Sequence, residues 1–171
     1  LGALASFTNQ AAIAIPGTGT IGNASPYPSA IVVSGVTGTV SKVTVTLNGL
    51  SHTFPDDIDI LLVSPTGQSM ILLSDAGGGN QVNNITLTLD DAAASSVPDT
   101  SLISSGTYKP SNYNPQSAVD TFASPAPAGP YGSSFGVFKG INPNGTWSLY
   151  VVDDTSGDLG TLANGWSLDY G

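Results

Sequence analysis

The sequence predicts an all-β protein, a sandwich of jelly-roll type. Three observations carry that expectation. Apolar and polar residues alternate with a period of two in several segments. Twenty-one Gly and 12 Pro fall largely between those segments, where turns are needed. Helix formers are scarce: among 171 residues there is no Glu and no Arg, whereas Thr and Val, which suit a pleated surface, are plentiful.

The elements follow in order. Residues 1–29 read as an N-terminal extension or first strand, with a short strand at 11–15 stopped by Pro16-Gly17. Pro26-Tyr27-Pro28 is an extended lead-in to a strand at 30–34. Residues 39–50 alternate clearly, with Val43, Val45 and Leu47 on one face and Thr44 and Thr46 on the other. Residues 58–64 follow, placing Ile58, Ile60 and Leu62 on one face and Asp57, Asp59 and Leu61 on the other. The turn Pro65-Thr66-Gly67-Gln68 returns the chain as a strand over 69–74, which makes a hairpin. Ile85, Leu87 and Leu89 mark another strand. Ala92-Ala93-Ala94 is read as one helical turn, and 92–140, rich in proline, as a long loop excursion pinned to the sandwich by its aromatics. Trp147, Leu149 and Val151 alternate in a further strand, and Trp166, Leu168 and Tyr170 in the last. A single domain over 1–171 is expected.

Charge and composition exclude several functions. Twelve Asp against three Lys give a net charge of -9, and so few cations cannot replace the counterions of a nucleic acid. Without Cys there is neither a disulfide framework nor a thiolate metal site. No apolar run approaches the roughly 20 residues that would cross a bilayer, so no membrane insertion is expected. An acidic, thiol-free, Lys-poor composition suits a secreted or cell-surface bacterial module. No leader pattern opens the sequence, which fits a mature form or an excised domain.

Two segments resemble the P domain, or homo B domain, of subtilisin-like proprotein convertases of the kexin and furin type. The first runs from His52 through Asp57 and an alternating apolar strand to Ser64-Pro65-Thr66-Gly67. The second is Gly145-Thr146-Trp147-Ser148-Leu149-Tyr150-Val151, then Gly160-Thr161-Leu162, then Trp166-Ser167-Leu168. The likeness spans about 30–171 in order. It departs in the length and proline content of 92–140, and in Asn144-Gly145-Thr146 where many members carry Gly-Glu. The resemblance implies a jelly-roll, galactose-binding-domain-like sandwich. It also implies a non-catalytic accessory role, supporting the folding, stability or targeting of an attached secreted serine protease or a multidomain surface protein. The resemblance implies either a subtilisin-like serine endopeptidase as the parent protein or a free-standing relative in a bacterial surface protein. Some members bind calcium.

The acidic clusters carry the sharpest chemistry. Asp56, Asp57 and Asp59 crowd one strand entrance, Asp75 precedes the glycine run 77–79, and Asp90-Asp91 end a strand. Carboxylates gathered within about 5 Å repel one another, and a hard divalent cation relieves that repulsion. Calcium, with six to eight oxygen ligands, is the expected ion; solvated turn-forming Asp is the competing reading. Asp153, Asp154 and Asp158 form a weaker second candidate, without the spacing of an EF-hand. His52, the sole histidine, reads as structural, bonded to backbone or to Asp57 rather than acting as the base of a hydrolase. Trp147 and Trp166 are expected in the core. Tyr108, Tyr113 and Tyr131 are candidates for an exposed aromatic surface, which would suit an alternative function as a carbohydrate-binding or adhesion module with glycan partners.

Overall fold

The segment with the clearest alternation is the hub of one sheet. In the computed structural model, which describes residues 5–114 and 119–171, β5 (Val43–His52) buries Val43, Val45 and Leu47. The strand begins three residues after Val40, whose N–H and C=O bond the Gly140-Ile141 loop instead. It runs on past Leu50 because of a bulge at Gly49, where φ is +73° and the register with the neighbouring strand shifts. The extra residue reverses the phase of the alternation. Leu50 and His52 therefore face the core that Val43, Val45 and Leu47 face.

Around β5 lies a seven-stranded sheet. On one side stand β13 (Trp166–Tyr170), with β1 (Ala5–Asn9) beyond it, and β12 (Gly160–Leu162), with β2 (Ile13–Ile15) beyond it. On the other side is β8 (Val82–Leu89), with β9 (Gly106–Tyr108) parallel to it. The second sheet has six strands. β11 (Gly145–Asp153) pairs β6 (Ile58–Val63) on one side, and β4 (Ser29–Val33) and β3 (Gly22–Asn23) on the other. β7 (Ser69–Ser74) completes the predicted hairpin with β6, and β10 (Ser111–Asn112) adds in parallel at the edge. The result is a β-sandwich, as the alternation predicts.

The two sheets close on one apolar core that holds both tryptophans. Trp147 and Trp166 are fully buried, and each indole N–H has an acceptor: Pro143 O at 2.9 Å and Ser29 Oγ at 3.0 Å. Burying such large rings stabilises the fold only because neither leaves an unbonded donor behind. The two motif segments touch directly. A Cβ on Gly145, where φ is +123°, would stand 2.7 Å from Pro65 Cβ. Glycine at 145 therefore lets the Ser-Pro-x-Gly turn pack against the start of the tryptophan strand.

The excursion differs from its reading as a plain loop. Ala92–Ala94 forms a turn and no helix, the segment supplies β9 and β10, and Phe135–Phe138 makes one 3-10 turn. Beyond residue 119 the chain lies over the outer face of the second sheet. There Phe122 joins Leu61, Ile71 and Tyr150 in a separate small core, with Tyr27 and Tyr131 packed around it. Gly132 ties this segment to the β7 edge by exchanging bonds with Ser69 O and the Ile71 N–H, both at 2.9 Å. One consequence reaches the site. Asp59 sits on this outer face next to Leu61, and it is only 2% exposed. Among the described residues no helix is long and apolar enough to cross a membrane.

Candidate metal centre

Strand pairing brings the two acidic segments of the sequence into one place. In the β6–β11 ladder Asp59 stands opposite Val152 and Ile58 opposite Asp153. One step further on, the Asp154 N–H donates to Asp57 O at 2.9 Å. In the β6–β7 ladder Asp59 faces Ser74, and Asp75 follows at once. The two candidate sites of the sequence, around Asp59 and around Asp154, are thus one. The excursion adds a residue that sequence reasoning missed, Asp120. A carboxylate oxygen from each of Asp59, Asp120 and Asp154 lies within 4.8 Å of the others. No sequence pattern around Asp120 announces it; only the folding of a proline-rich segment back over β6 and β7 brings it there.

The electrostatics follow from that crowding. Burial is the main force raising the Asp59 pKa well above the ordinary 3.8, and the charges of Asp120 and Asp154 raise it further. Asp120 is raised for the same first reason, burial. Burial, then Asp120, push Asp75 up to about 6, although a bond from Ser74 opposes the shift. Ser74 Oγ sits 2.9 Å from Asp59 Oδ1 and 3.2 Å from Asp75 Oδ2, and its one proton serves both. Asp75 itself has a φ of +54°, a left-handed conformation that Asp tolerates better than most residues.

The other sequence candidates are placed differently. Asp57 is buried, and its Oδ2 has no hydrogen-bond partner among the described residues. Burial, then Asp153, push its pKa up to about 7. Asp56 is raised by burial first and by Asp99 second. Asp158 Oδ1 accepts from Thr53 Oγ1 at 2.8 Å. Asp90 and Asp91 do not join the cluster. Asp90 holds Lys42 at 3.2 Å and the Ala92 N–H at 2.8 Å, and Asp91 accepts from the Phe135 N–H at 3.2 Å. They fix a turn rather than contribute to the oxygen cluster.

Asp153 points to the opposite face from Asp154, into the core, where it meets His52. The partner of His52 is thus Asp153, not Asp57. The Phe54 N–H donates to His52 Nδ1 at 3.0 Å, so the ring proton resides on Nε2 and donates to Asp153 Oδ2 at 2.9 Å. Both ring nitrogens are occupied, and neither bonds a serine. The sequence does contain Gly132-Ser133-Ser134-Phe135-Gly136, a Gly-x-Ser-x-Gly pattern. It leads into a 3-10 turn of four residues rather than a strand-to-helix elbow. The three tyrosines form no open aromatic surface. Tyr108, Tyr113 and Tyr131 are half-buried, and their hydroxyls donate to Ser104 O, Val97 O and Pro127 O.

The donor set suits a hard cation. Its ligands are all oxygens, from carboxylates and a hydroxyl, and no imidazole or thiolate competes. Among the described residues, Asp120 Oδ2 and, one strand away, Asn112 Oδ1 are buried oxygens with no hydrogen bond. Unbonded acceptors of this kind are costly unless a ligand satisfies them.

Comparison with known proteins agrees with the motifs. No curated protein matches the chain. Two solved structures from Aeromonas sobria are similar: a complex of its serine protease with the chaperone (19% identity, TM-score 0.44) and the serine protease itself (20% identity, TM-score 0.41). The match covers 99% of this chain and 27% of each of those chains, so this chain spans about a quarter of their length. The family model described as "Proprotein convertase P-domain" matches residues 40–100, the stretch holding the His52 to Gly67 motif, Asp59 and Asp75. The resemblance read from the motifs is therefore shown over residues 40–100, where this chain is similar to the proprotein convertase P-domain.

Proposed function

We propose that this chain is a non-catalytic accessory module, held together by calcium, that supports the folding, stability or targeting of an attached or neighbouring secreted serine protease or surface protein. The family match supports the accessory role. One observation carries the calcium: carboxylates from β6, from the excursion and from the loop after β11 converge within 4.8 Å on the outer face of the sheet. Asp59, Asp120 and Asp154 would hold the ion, with Asp75 and Ser74 beside them. When bound, calcium supplies a charge that lets these carboxylates ionise together. The residues of the chain do the rest. Asp59 fixes the site to the sandwich, Asp154 fixes the loop after β11, and Asp120 fixes the excursion.

The experiment is a thermal melt in calcium and in chelator. An ion bound only by the folded state stabilises by mass action, by about 2.7 kcal/mol at one hundred times its dissociation constant. Calcium should therefore raise the melting temperature by several degrees, and Asp154→Asn should remove most of that gain. Identical melts in both buffers would end the calcium reading. Co-expression with a subtilisin-like catalytic domain tests the accessory role: yield of active protease should rise with the module present and fall back without it.

A further inference from the structure

The excursion covers the outer face of the second sheet, whereas among the described residues the outer face of the first stands open. Strand register sorts the polar side chains of that open face into rows. Thr8, Ser167, Thr46 and Thr88 stand opposite one another across β1, β13, β5 and β8. Two hydroxyl pairs in that row, Thr8–Ser167 and Thr46–Thr88, are each 3.0 Å apart. In the next row Asn48 faces Thr86, and Asn48 Nδ2 donates to Ser167 Oγ at 3.3 Å. A groove of about 690 Å³ lies here, around the β5 bulge. A Cβ on Gly49 would stand 3.0 Å from Asn164 Nδ2 and 3.1 Å from Asn84 Oδ1, so the missing side chain lets both amides reach over the bulge. Asn84 has a φ of +50°, and its N–H donates to Ser51 Oγ at 2.8 Å, which holds its backbone in place. Amides and hydroxyls line the groove around Gly49, with no charged and no apolar side chain among them, although the chain carries a charge of -9. The side chains of Gln10, Asn84, Thr86 and Asn164 are exposed, and among the described residues they make no hydrogen bond.

We propose that this groove binds an uncharged, flat, ribbon-like glycan chain. Charge decides first. The negative field of the chain repels a phosphate or carboxylate ligand, and the groove has no acid to hold a cation, so the complementary partner is neutral. Hydrogen bonding decides next. An amide presents a donor and an acceptor side by side, and so do two neighbouring sugar hydroxyls, so the two sets match. A peptide would find no apolar wall for its side chains. The spacing fits as well. Strands lie about 4.8 Å apart, so the polar groups of Thr8, Ser167, Asn48 and Thr86 recur across the sheet at nearly the advance of a ribbon-like glycan per sugar. The glycan runs across the strands, from Gln10 towards Thr86. No aromatic ring lines the groove, so each sugar gains little against water and affinity accumulates along the chain. The inference goes beyond the accessory role and the calcium and uses neither, because the groove belongs to the other sheet.

The test is titration of the full chain with cellohexaose, chitohexaose and maltohexaose at millimolar concentration, read from side-chain amide signals in nitrogen–proton NMR spectra. Cellohexaose or chitohexaose should shift the amide signals of Gln10, Asn84 and Asn164, and should bind about tenfold or more tightly than the dimer of the same sugar. Maltohexaose, built from the same sugar as cellohexaose but coiled, should not bind. Gln10→Ala combined with Asn164→Ala should weaken binding by about tenfold or more, the loss of two hydrogen bonds. Both residues are exposed, so the melting temperature should change little. Binding should not respond to salt, because the ligand carries no charge. No shift with either ribbon-like hexamer, equal binding of maltohexaose, or full affinity in the double variant overturns the inference. Binding that is lost in chelator also overturns it, because it would place the glycan on the ion. A failed titration leaves the calcium melts and the co-expression result as they stand, and identical melts in calcium and chelator leave the titration as it stands.

Discussion

His52 Nε2 lies 2.9 Å from Asp153 Oδ2, and both side chains are fully enclosed, although 101 residues separate them. The bulge at Gly49 turns His52 inward, and the alternation of β11 does the same for Asp153. Burial raises the Asp153 pKa, while the His52 bond and the Thr155 N–H lower it. Next to Asp153 in sequence, Asp154 faces the other way and joins the carboxylate cluster. The buried pair therefore braces the loop that carries one leg of the site.

His52→Ala should remove that brace. It leaves a buried carboxylate without its main donor, a loss of about 3 kcal/mol. Asp153→Asn keeps an acceptor for the Nε2–H and removes a buried charge, so its loss should be nearer about 1 kcal/mol. Urea denaturation of the two variants measures the difference. Equal losses would show that charge, and not the hydrogen bond, holds the pair.

The raised carboxylates make stability depend on pH with a definite sign. In the folded chain Asp57 titrates near 7 and Asp75 near 6, and Asp59 is raised as well, all above the ordinary 3.8. The folded state then binds more protons than the unfolded state between about pH 4 and 7, so stability falls as pH rises through that window. In chelator the melting temperature should be higher at pH 5 than at pH 7.5. In calcium the trend should flatten or invert, because ion binding needs the carboxylates ionised. A melting temperature that rises steadily from pH 5 to 7.5 in chelator contradicts the raised values.

The fold was legible because its period-two patterns have no rival reading. Val43–Leu47, Ile58–Leu62 and Trp147–Val151 all bury the faces their alternation assigns. The site was legible only in part, for three physical reasons. Asp59 lies on β6 and Asp75 directly follows β7, its partner across a short turn, so local sequence nearly places them together. The union of Asp59 with Asp154 depends on a β6–β11 pairing between strands almost 90 residues apart, which spacing cannot reveal. Asp120 depends on how a proline-rich segment folds back over a sheet, and no periodicity records that. Asp90 and Asp91 look like ligands for the same reason turn aspartates often do: the residue that accepts backbone N–H groups is also the one that binds ions.

Asp59→Asn separates the burden of the cluster from its use. Asp59 is the most enclosed of the three carboxylates, and burial is the main force opposing its ionisation. An amide fills the same space without a charge. In chelator near neutral pH the variant should melt at or above the temperature of the parent chain. In calcium it should show little gain, having lost its central ligand. Thermal melts in the two buffers give both numbers. A variant that is less stable in chelator yet still gains from calcium would place the ion elsewhere.

Phe122→Ala tests whether the excursion is a separate layer. Phe122 belongs to the small outer core with Leu61, Ile71 and Tyr150, not to the core between the sheets. Removing it hollows that small outer core and loosens the Gly132 tether beside it. The cost should appear as local opening rather than global unfolding. Limited proteolysis should cut within 119–132 at a rate at least about tenfold higher, an opening made easier by about 1.4 kcal/mol or more. The tryptophan near-UV signal should hold, because Trp147 and Trp166 lie on the other side of the sheet. Loss of both together would make the two cores one cooperative unit.

Gly160→Ala addresses the second motif. Gly160 opens β12 and stands opposite His52 in the ladder with β5. A Cβ there would fall on Ser51 O, with His52 Cα at 2.6 Å, so it meets backbone on both counts. Backbone cannot swing aside as a side chain can, and β12 would have to leave β5. That separation would draw Leu162 out of the core and withdraw Leu159 O from the Thr53 N–H that it now accepts at 3.2 Å. The change should destabilise by about 3 kcal/mol or more. Thr161→Ala, one residue on and half-buried, should lie within about 1 kcal/mol of the parent chain and serves as the control. Guanidinium midpoints for the two variants decide the matter. Similar midpoints would mean that the Gly-x-Leu motif is not held by this close approach.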